Sequence, residues 1–279
     1  MEAILIAILS AFAWGISDYG AGLKTRTLSA FVVTGAMLAT GGAVAAAGIL
    51  VLGSGPLAAE TIWLGAAAAL VTVVGLTALY RALGTGRMSI VAPISATGVV
   101  IPVLFDIASG GSLSWPQTLG IVLAIGGMLV IVSTVGDEGG GSASNRGPIG
   151  LAVLSAVGLG AFYVVSGSVD RDQVVWFVVV AQSSAAVVLA IVSVYLGARI
   201  PRRSEARDLV MLGLLGLAAW LLATVALTRG PLGVISTITA LYPVVTILLA
   251  VFLQRERPRR QHVAALVVVF AGVAAIAAG

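Results

Sequence analysis

The chain is a succession of apolar runs, each about as long as a bilayer is thick, with its charges gathered in the breaks between them. A hydrocarbon core about 30 Å across needs roughly 20 apolar residues per helix. Cutting at the charged and Gly/Pro-rich breaks gives ten such runs, over residues 3–22, 29–52, 61–80, 88–108, 115–136, 148–168, 173–197, 207–228, 232–253 and 259–278. Only 9% of the residues are charged and 59% are hydrophobic, whereas a soluble domain carries about 25% charge. With so little polar surface the chain must take lipid as its solvent. The expected fold is an all-α membrane protein with ten transmembrane helices.

The same composition closes off other classes. A net charge of +4 resembles that of a nucleic-acid binder, but arginines gathered at helix ends are what membrane orientation demands, so no nucleic-acid partner is expected. There are no cysteines, which removes disulfides and thiolate metal sites. The first residues, MEAILIAILSAFAWGISDYGAGL, lack a basic n-region and are expected to be a retained span. No G-x-S-x-G, H-E-x-x-H or Walker loop occurs, and the one histidine, His262, follows the arginine-rich turn. The chain is therefore not expected to be an enzyme, to use ATP, or to hold a cofactor or metal.

The chain also repeats itself. The Gly/Ser-rich stretch GDEGGGSASNRGP, Gly136 to Pro148, lies at the midpoint and has the composition of a flexible linker. It divides the chain into a first five-helix repeat (1–136), a linker (137–147) and a second repeat (148–279). AILSAFAWG (7–15) lies over AVLSAVGLG (152–160) at an offset of 145, and ALGTG (82–86) over ALTRG (226–230) at 144. An odd number of spans per half makes the second copy enter the membrane inverted, so basic residues should switch loops between halves. They do. Lys24, Arg26, Arg81 and Arg87 follow the first and third runs, while Arg199, Arg202, Arg203, Arg207, Arg255, Arg257, Arg259 and Arg260 follow the seventh and ninth. With Arg146, one face carries 13 of the 15 basic residues, against Arg171 and Arg229 on the other. The positive-inside rule makes the basic face cytoplasmic and both termini external.

VALTRGPLGVISTITALYPVVTILLAVFLQRERP, with VFAGVAAIAA after it, resembles the C-terminal signature of EamA-type transporters of the drug/metabolite transporter superfamily. The matching positions are Ala226, Leu227, Leu241, Tyr242, Pro243, Val244, Val245, Thr246, Glu256, Arg257, Pro258, Ala271 and Gly272. AFAWGISDYGAG, with Trp14 and Gly15, resembles the family's first helix, and LTALYRALGTGRMSIVAPI its third-to-fourth passage. The chain departs from the signature at Arg255, where a glycine is usual. It also departs in its charge bias, since family members commonly have cytoplasmic termini. The resemblance implies a secondary transporter of the cytoplasmic membrane that exports amino acids or related small metabolites. The alternatives are a drug, sugar-phosphate or nucleotide-sugar carrier of the same superfamily, or a non-transporting scaffold. Monomer and homodimer both remain open.

Polar groups inside a span need a reason. Ser10, Trp14, Ser17 and Asp18 share one face of the first run, and Ser155, Leu159, Phe162, Tyr163 and Ser166 form the equivalent stripe in the sixth. Two such stripes would wall a central cavity, although serines also serve helix packing. Asp18 is expected either to carry a proton or hold an amine, or to pair with Arg81. Asp106, a turn from its loop, is expected to reach water. Tyr80, Tyr163, Trp220 and Tyr242 join Trp14 as candidate substrate contacts, with Gln182, Ser95 and Thr239; Trp63, Trp115 and Trp176 read as interfacial anchors. Pro93, Pro102 and Pro243 fall in the equivalent fourth and ninth runs, where proline removes a helix hydrogen bond and a hinge is expected.

Overall fold

A computed structural model describes residues 2–110, 114–136, 146–255 and 260–278. The expected linker falls almost wholly outside them, as do Glu256, Arg257, Pro258 and Arg259. The regular elements among the described residues are all helices, with no strand among them: α1 (Glu2–Lys24), α2 (Ala30–Leu52), α3 (Ala59–Thr85), α4 (Met88–Ala96), α5 (Val100–Ala108), α6 (Trp115–Gly136), α7 (Arg146–Gly167), α8 (Val174–Tyr195), α9 (Arg203–Leu227), α10 (Leu232–Thr239), α11 (Tyr242–Gln254) and α12 (Arg260–Ala278). Eight segments are long and apolar enough to cross a bilayer, counting α4–α5 and α10–α11 as one each. α6 and α12 pack mainly on each other.

The packing has an internal two-fold pattern. α1 lies along α9 as α7 lies along α3; α2 meets α9 as α8 meets α3; and α2 crosses its own equivalent, α8. Polar contacts at the helix ends fix the directions. Lys24 at the end of α1 pairs with Asp208 near the start of α9, and Glu2 at the start of α1 pairs with Arg229 just past the end of α9. These helices are therefore antiparallel. Arg171, just beyond α7, donates from Nε to the Thr228 carbonyl at 2.9 Å. The end of α7 thus shares a face with the start of α1, and the two equivalent helices point in opposite directions. Gln173 and Trp176 bind the α2–α3 loop and the first turn of α3 on that same face, at Pro56, Ala58 and Thr61 and at Gly55 respectively.

The fourth and ninth runs differ from the expected proline-kinked helices. Each is broken in two. α4 ends at Ala96 and a 3-10 turn, Thr97–Val99, leads into α5; α10 ends at Thr239 and α11 begins at Tyr242. Pro93 lies inside α4, but Pro102 is the third residue of α5 and Pro243 the second of α11. In a helix's first turn the missing N–H is no loss, and the fixed φ suits a helix start. Pro102 and Pro243 therefore begin new helices where a bend in a continuous one was expected.

Both breaks are seated on glycines. A Cβ on Gly15 would fall 2.6 Å from the Tyr242 carbonyl oxygen and 2.5 Å from Val245 Cβ, and a Cβ on Gly160 would overlap the Gly98 carbonyl. Gly15 and Gly160 are equivalent in the repeat, as are Gly98 and Tyr242, so each repeat's first helix cradles the other repeat's break. Thr246 Oγ1 adds a bond to the Gly15 carbonyl at 3.0 Å. Overpacking such a contact costs about 1–3 kcal/mol. Gly15→Ala is expected to lower the melting temperature of the detergent-purified protein, read by thermal unfolding on a sizing column. Gly48→Ala, whose Cβ meets nothing within 4 Å, should leave it unchanged or higher.

Candidate central binding site

Trp14 sits near the middle of α1, roughly 15 Å from the Lys24 end at 1.5 Å per residue. It separates two small chambers between the repeats. One is lined by Thr34, Met37, Leu38, Tyr80, Gln182 and Trp220 among others, and the second by Asp18, Leu159, Phe162, Tyr163 and Tyr242; Trp14 and Leu76 line both. Each has a volume of about 10 Å³, room for about one water. In this arrangement neither admits an organic solute.

Glycines make the close packing around the chambers possible. The Gln182 carboxamide occupies the place a Cβ on Gly41 would take, and a Cβ on Gly213 would fall 2.7 Å from the Met37 carbonyl. α2 is thereby pressed against α8 and α9, and Gln182 is held at the chamber wall. Trp220 stands edge-on to Phe162, with ring centroids 4.8 Å apart at 83°, and lies 6.5 Å from Trp14; Phe162 also contacts Tyr163 at 5.7 Å. Edge-to-face pairs of this kind fix ring positions beyond simple burial.

The wall combines equivalent positions with unlike chemistry. Trp14 faces its repeat partner Leu159, Trp220 its partner Leu76, Gln182 its partner Leu38, and Asp18 its partner Tyr163. In three of these four pairs one repeat gives a leucine and the other a polar or aromatic group. Asp18 is 1% exposed, and the Tyr80 hydroxyl makes polar contact with its carboxylate and with Ser17. Five buried polar atoms at the chambers find no hydrogen-bond partner among the described residues: Trp14 Nε1, Trp220 Nε1, Tyr242 OH, Thr34 Oγ1 and Asp18 Oδ1. Buried polar atoms are nearly always bonded, and each one left over in a native protein calls for an explanation such as a ligand or ordered water.

Seven of the nine candidate contacts come together here: Trp14, Asp18, Tyr80, Tyr163, Gln182, Trp220 and Tyr242. Ser95 and Thr239 do not line the chambers. Ser95 Oγ donates to the Ala152 carbonyl at 3.4 Å, and Thr239 Oγ1 to the Ile235 carbonyl of its own helix at 2.9 Å. Each has its hydroxyl committed to a helix carbonyl. Ser10 and Ser17 act likewise in packing, donating to Ala219 and Leu212 of α9 at 2.8 and 3.2 Å. Arg81 is exposed and forms no ion pair with Asp18 among the described residues. Asp106, expected to reach water, is half-buried, and its Oδ2 accepts the Gly233 N–H at 2.8 Å, capping α10 from across the bundle. Trp63 and Trp115 are 77% and 75% exposed, as anchors at the interface would be. Thr34, Met37 and Leu217 of the wall had no candidate status. The repeat offset of 144 applied to Gln182 lands on Leu38, and that was the one available signal for this part of α2.

The profile of the EamA-like transporter family matches the chain twice, over residues 1–133 and 147–278. The chain belongs to the EamA-like transporter family. The family is part of the drug/metabolite transporter superfamily, and the chain is a multi-pass membrane protein of it. No curated protein matches the sequence significantly. Among solved structures, one titled only "Crystal structure of protein" is similar over 99% of this chain and 98% of its own, with 21% identity and a TM-score of 0.70. That likeness establishes a shared fold.

Asp106 offers a direct check on the assembly of the broken helices. Loss of a cap typically costs about 1 kcal/mol. Asp106→Ala is expected to lower the melting temperature measurably, and Asp106→Asn, which keeps an acceptor oxygen, should recover most of the loss.

Proposed function

We propose that this EamA-family transporter is a secondary transporter that exports small organic metabolites, amino acids foremost, by alternating access around the Trp14 chambers. Ten spans are proposed, with α6 and α12 completing the eight and both termini external. The observation that carries the reading is the convergence of unpartnered donors and acceptors on a closed space between the repeats. Two indole N–H groups and the Tyr242 hydroxyl can donate to a carboxylate, while Asp18 can accept from an ammonium. The start of α11 at Tyr242 brings the positive end of a helix dipole to the same edge, as broken helices in transporters do for anionic substrate groups. A zwitterion fits that arrangement. Among the described residues no lysine or arginine lines either chamber, which disfavours a sugar phosphate, whose charge would call for basic partners.

Alternating access is attributed to rearrangement at the two breaks, with Pro93, Pro102 and Pro243 delimiting the segments that move. Asp18 is the proposed proton carrier, being the one carboxylate at the chambers among the described residues. The test is uptake of labelled amino acids into proteoliposomes, with and without an imposed pH gradient. Tyr242→Phe is expected to weaken apparent affinity about fivefold, the worth of roughly 1 kcal/mol for one hydrogen bond. Asp18→Asn should abolish the stimulation by the pH gradient. Unchanged proton stimulation in that variant removes Asp18 from the coupling role, and a protein that moves no amino acid under any gradient overturns the substrate class.

A further inference from the structure

The outer surface of the bundle carries a second concavity, which shares α2 with the Trp14 chambers but none of their lining residues. It is a groove between α2 and α8 of about 300 Å³, walled by Phe31, Ala36 and Ala39 on one side and by Leu189 and Ala190 on the other. Val187, Ile191 and Val194 beside it on α8 are 59%, 64% and 81% exposed, so it opens to lipid. From Ala186 to Ser193 it follows α8 for roughly 10 Å, and from Phe31 to Ala39 it follows α2 for roughly 12 Å. It thus runs from mid-membrane to the basic face and spans about one leaflet. Arg199, Ile200 and Pro201 of the α8–α9 loop form its mouth.

The mouth is positively charged. Residues 199–208 hold four arginines, Arg199, Arg202, Arg203 and Arg207, against two acids, Glu205 and Asp208. Glu205 is already bound by Arg199, at 2.8 and 3.0 Å, and Asp208 by Lys24. Arg202, Arg203 and Arg207 stay exposed. Deeper along the wall, Ser193 Oγ is a buried polar atom with no partner among the described residues. An apolar slot one leaflet long, with a stray hydroxyl below and an arginine excess above, matches a single class of molecule.

We propose that the groove between α2 and α8 binds an anionic phospholipid, with one acyl chain along Ala39 and Ala190, an ester oxygen at Ser193 and the phosphate at the Arg199 mouth. Basic recesses between transmembrane helices on the cytoplasmic side are suited to such head groups. Because α2 and α8 come from different repeats, the lipid bridges them and stabilises this arrangement of the two.

The test is native mass spectrometry of the full chain in detergent, titrated with phosphatidylglycerol or with phosphatidylcholine of the same acyl chains. Phosphatidylglycerol is expected to be retained more tightly. Arg199→Gln should weaken it about fivefold, the worth of one arginine near an anionic surface, leaving phosphatidylcholine unchanged, and Arg199→Lys should restore most of the loss. Glu205→Gln, which removes a negative charge, should strengthen phosphatidylglycerol binding. Ala190→Trp and Ala39→Trp, at exposed positions of the wall, should each reduce retention of both lipids. Equal retention of the two lipids by the unaltered chain overturns the proposal. So does an undiminished phosphatidylglycerol preference in Arg199→Gln, or wild-type retention in both tryptophan variants. A dimer that these tryptophans abolish would assign the groove to a second copy of the chain and overturn the lipid.

Discussion

In hydrocarbon a backbone carbonyl without a partner costs several kcal/mol, so a spanning helix can be interrupted only where protein closes over the gap. This chain interrupts two. What permits it is the absence of a side chain at Gly15 and Gly160, which lets the first helix of each repeat press against the break of the other. Thr246 bonds across one of these seats. Much of the bundle's centre follows from that contact. It sets how closely α1 approaches α11 and α7 approaches the Thr97–Val99 turn, and it places Trp14, one residue before Gly15, at the inter-repeat axis.

The axis also explains the character of the wall. A site on a two-fold axis between identical repeats would present the same side chain from both directions. Here the pairs have diverged, with Trp14 against Leu159, Trp220 against Leu76 and Gln182 against Leu38. Divergence leaves the wall asymmetric, the leucine coming from the first repeat at Leu38 and Leu76 and from the second at Leu159. Both chambers are small, about 10 Å³ each, and Trp14 is common to the two.

Much of this was legible in the sequence, for stated reasons. Helix positions followed from hydropathy, because the bilayer imposes a length. The inversion followed from the loops that carry arginine, and the end contacts Lys24–Asp208 and Glu2–Arg229 agree with it. The aromatic and amide residues deep in spans were visible because such groups are unusual there. Other features were hidden. Ser95 and Thr239 looked like Gln182, and only the positions of the Ala152 and Ile235 carbonyls show them spent on packing. The cap that Asp106 places on α10 was hidden because its partner, the Gly233 N–H, is 127 residues away. Proline advertises a disturbance in a helix, but whether that is a bend or a fresh start depends on the neighbours that close over it.

The ion pairs at both ends of α1 and α9 have a wider meaning. The long helices of each half find their main partners in the other half: α1 with α9, α3 with α7, α2 with α8, α6 with α12. Helices of the same half touch far less. The halves seen in the sequence are therefore not units of assembly. A single half would have almost no interior of its own, and the two resemble an interlocked pair of strangers' hands more than two joined fists. Any closely packed piece of the bundle is therefore a mixture of both copies, which ties each end of the chain to the middle of the other.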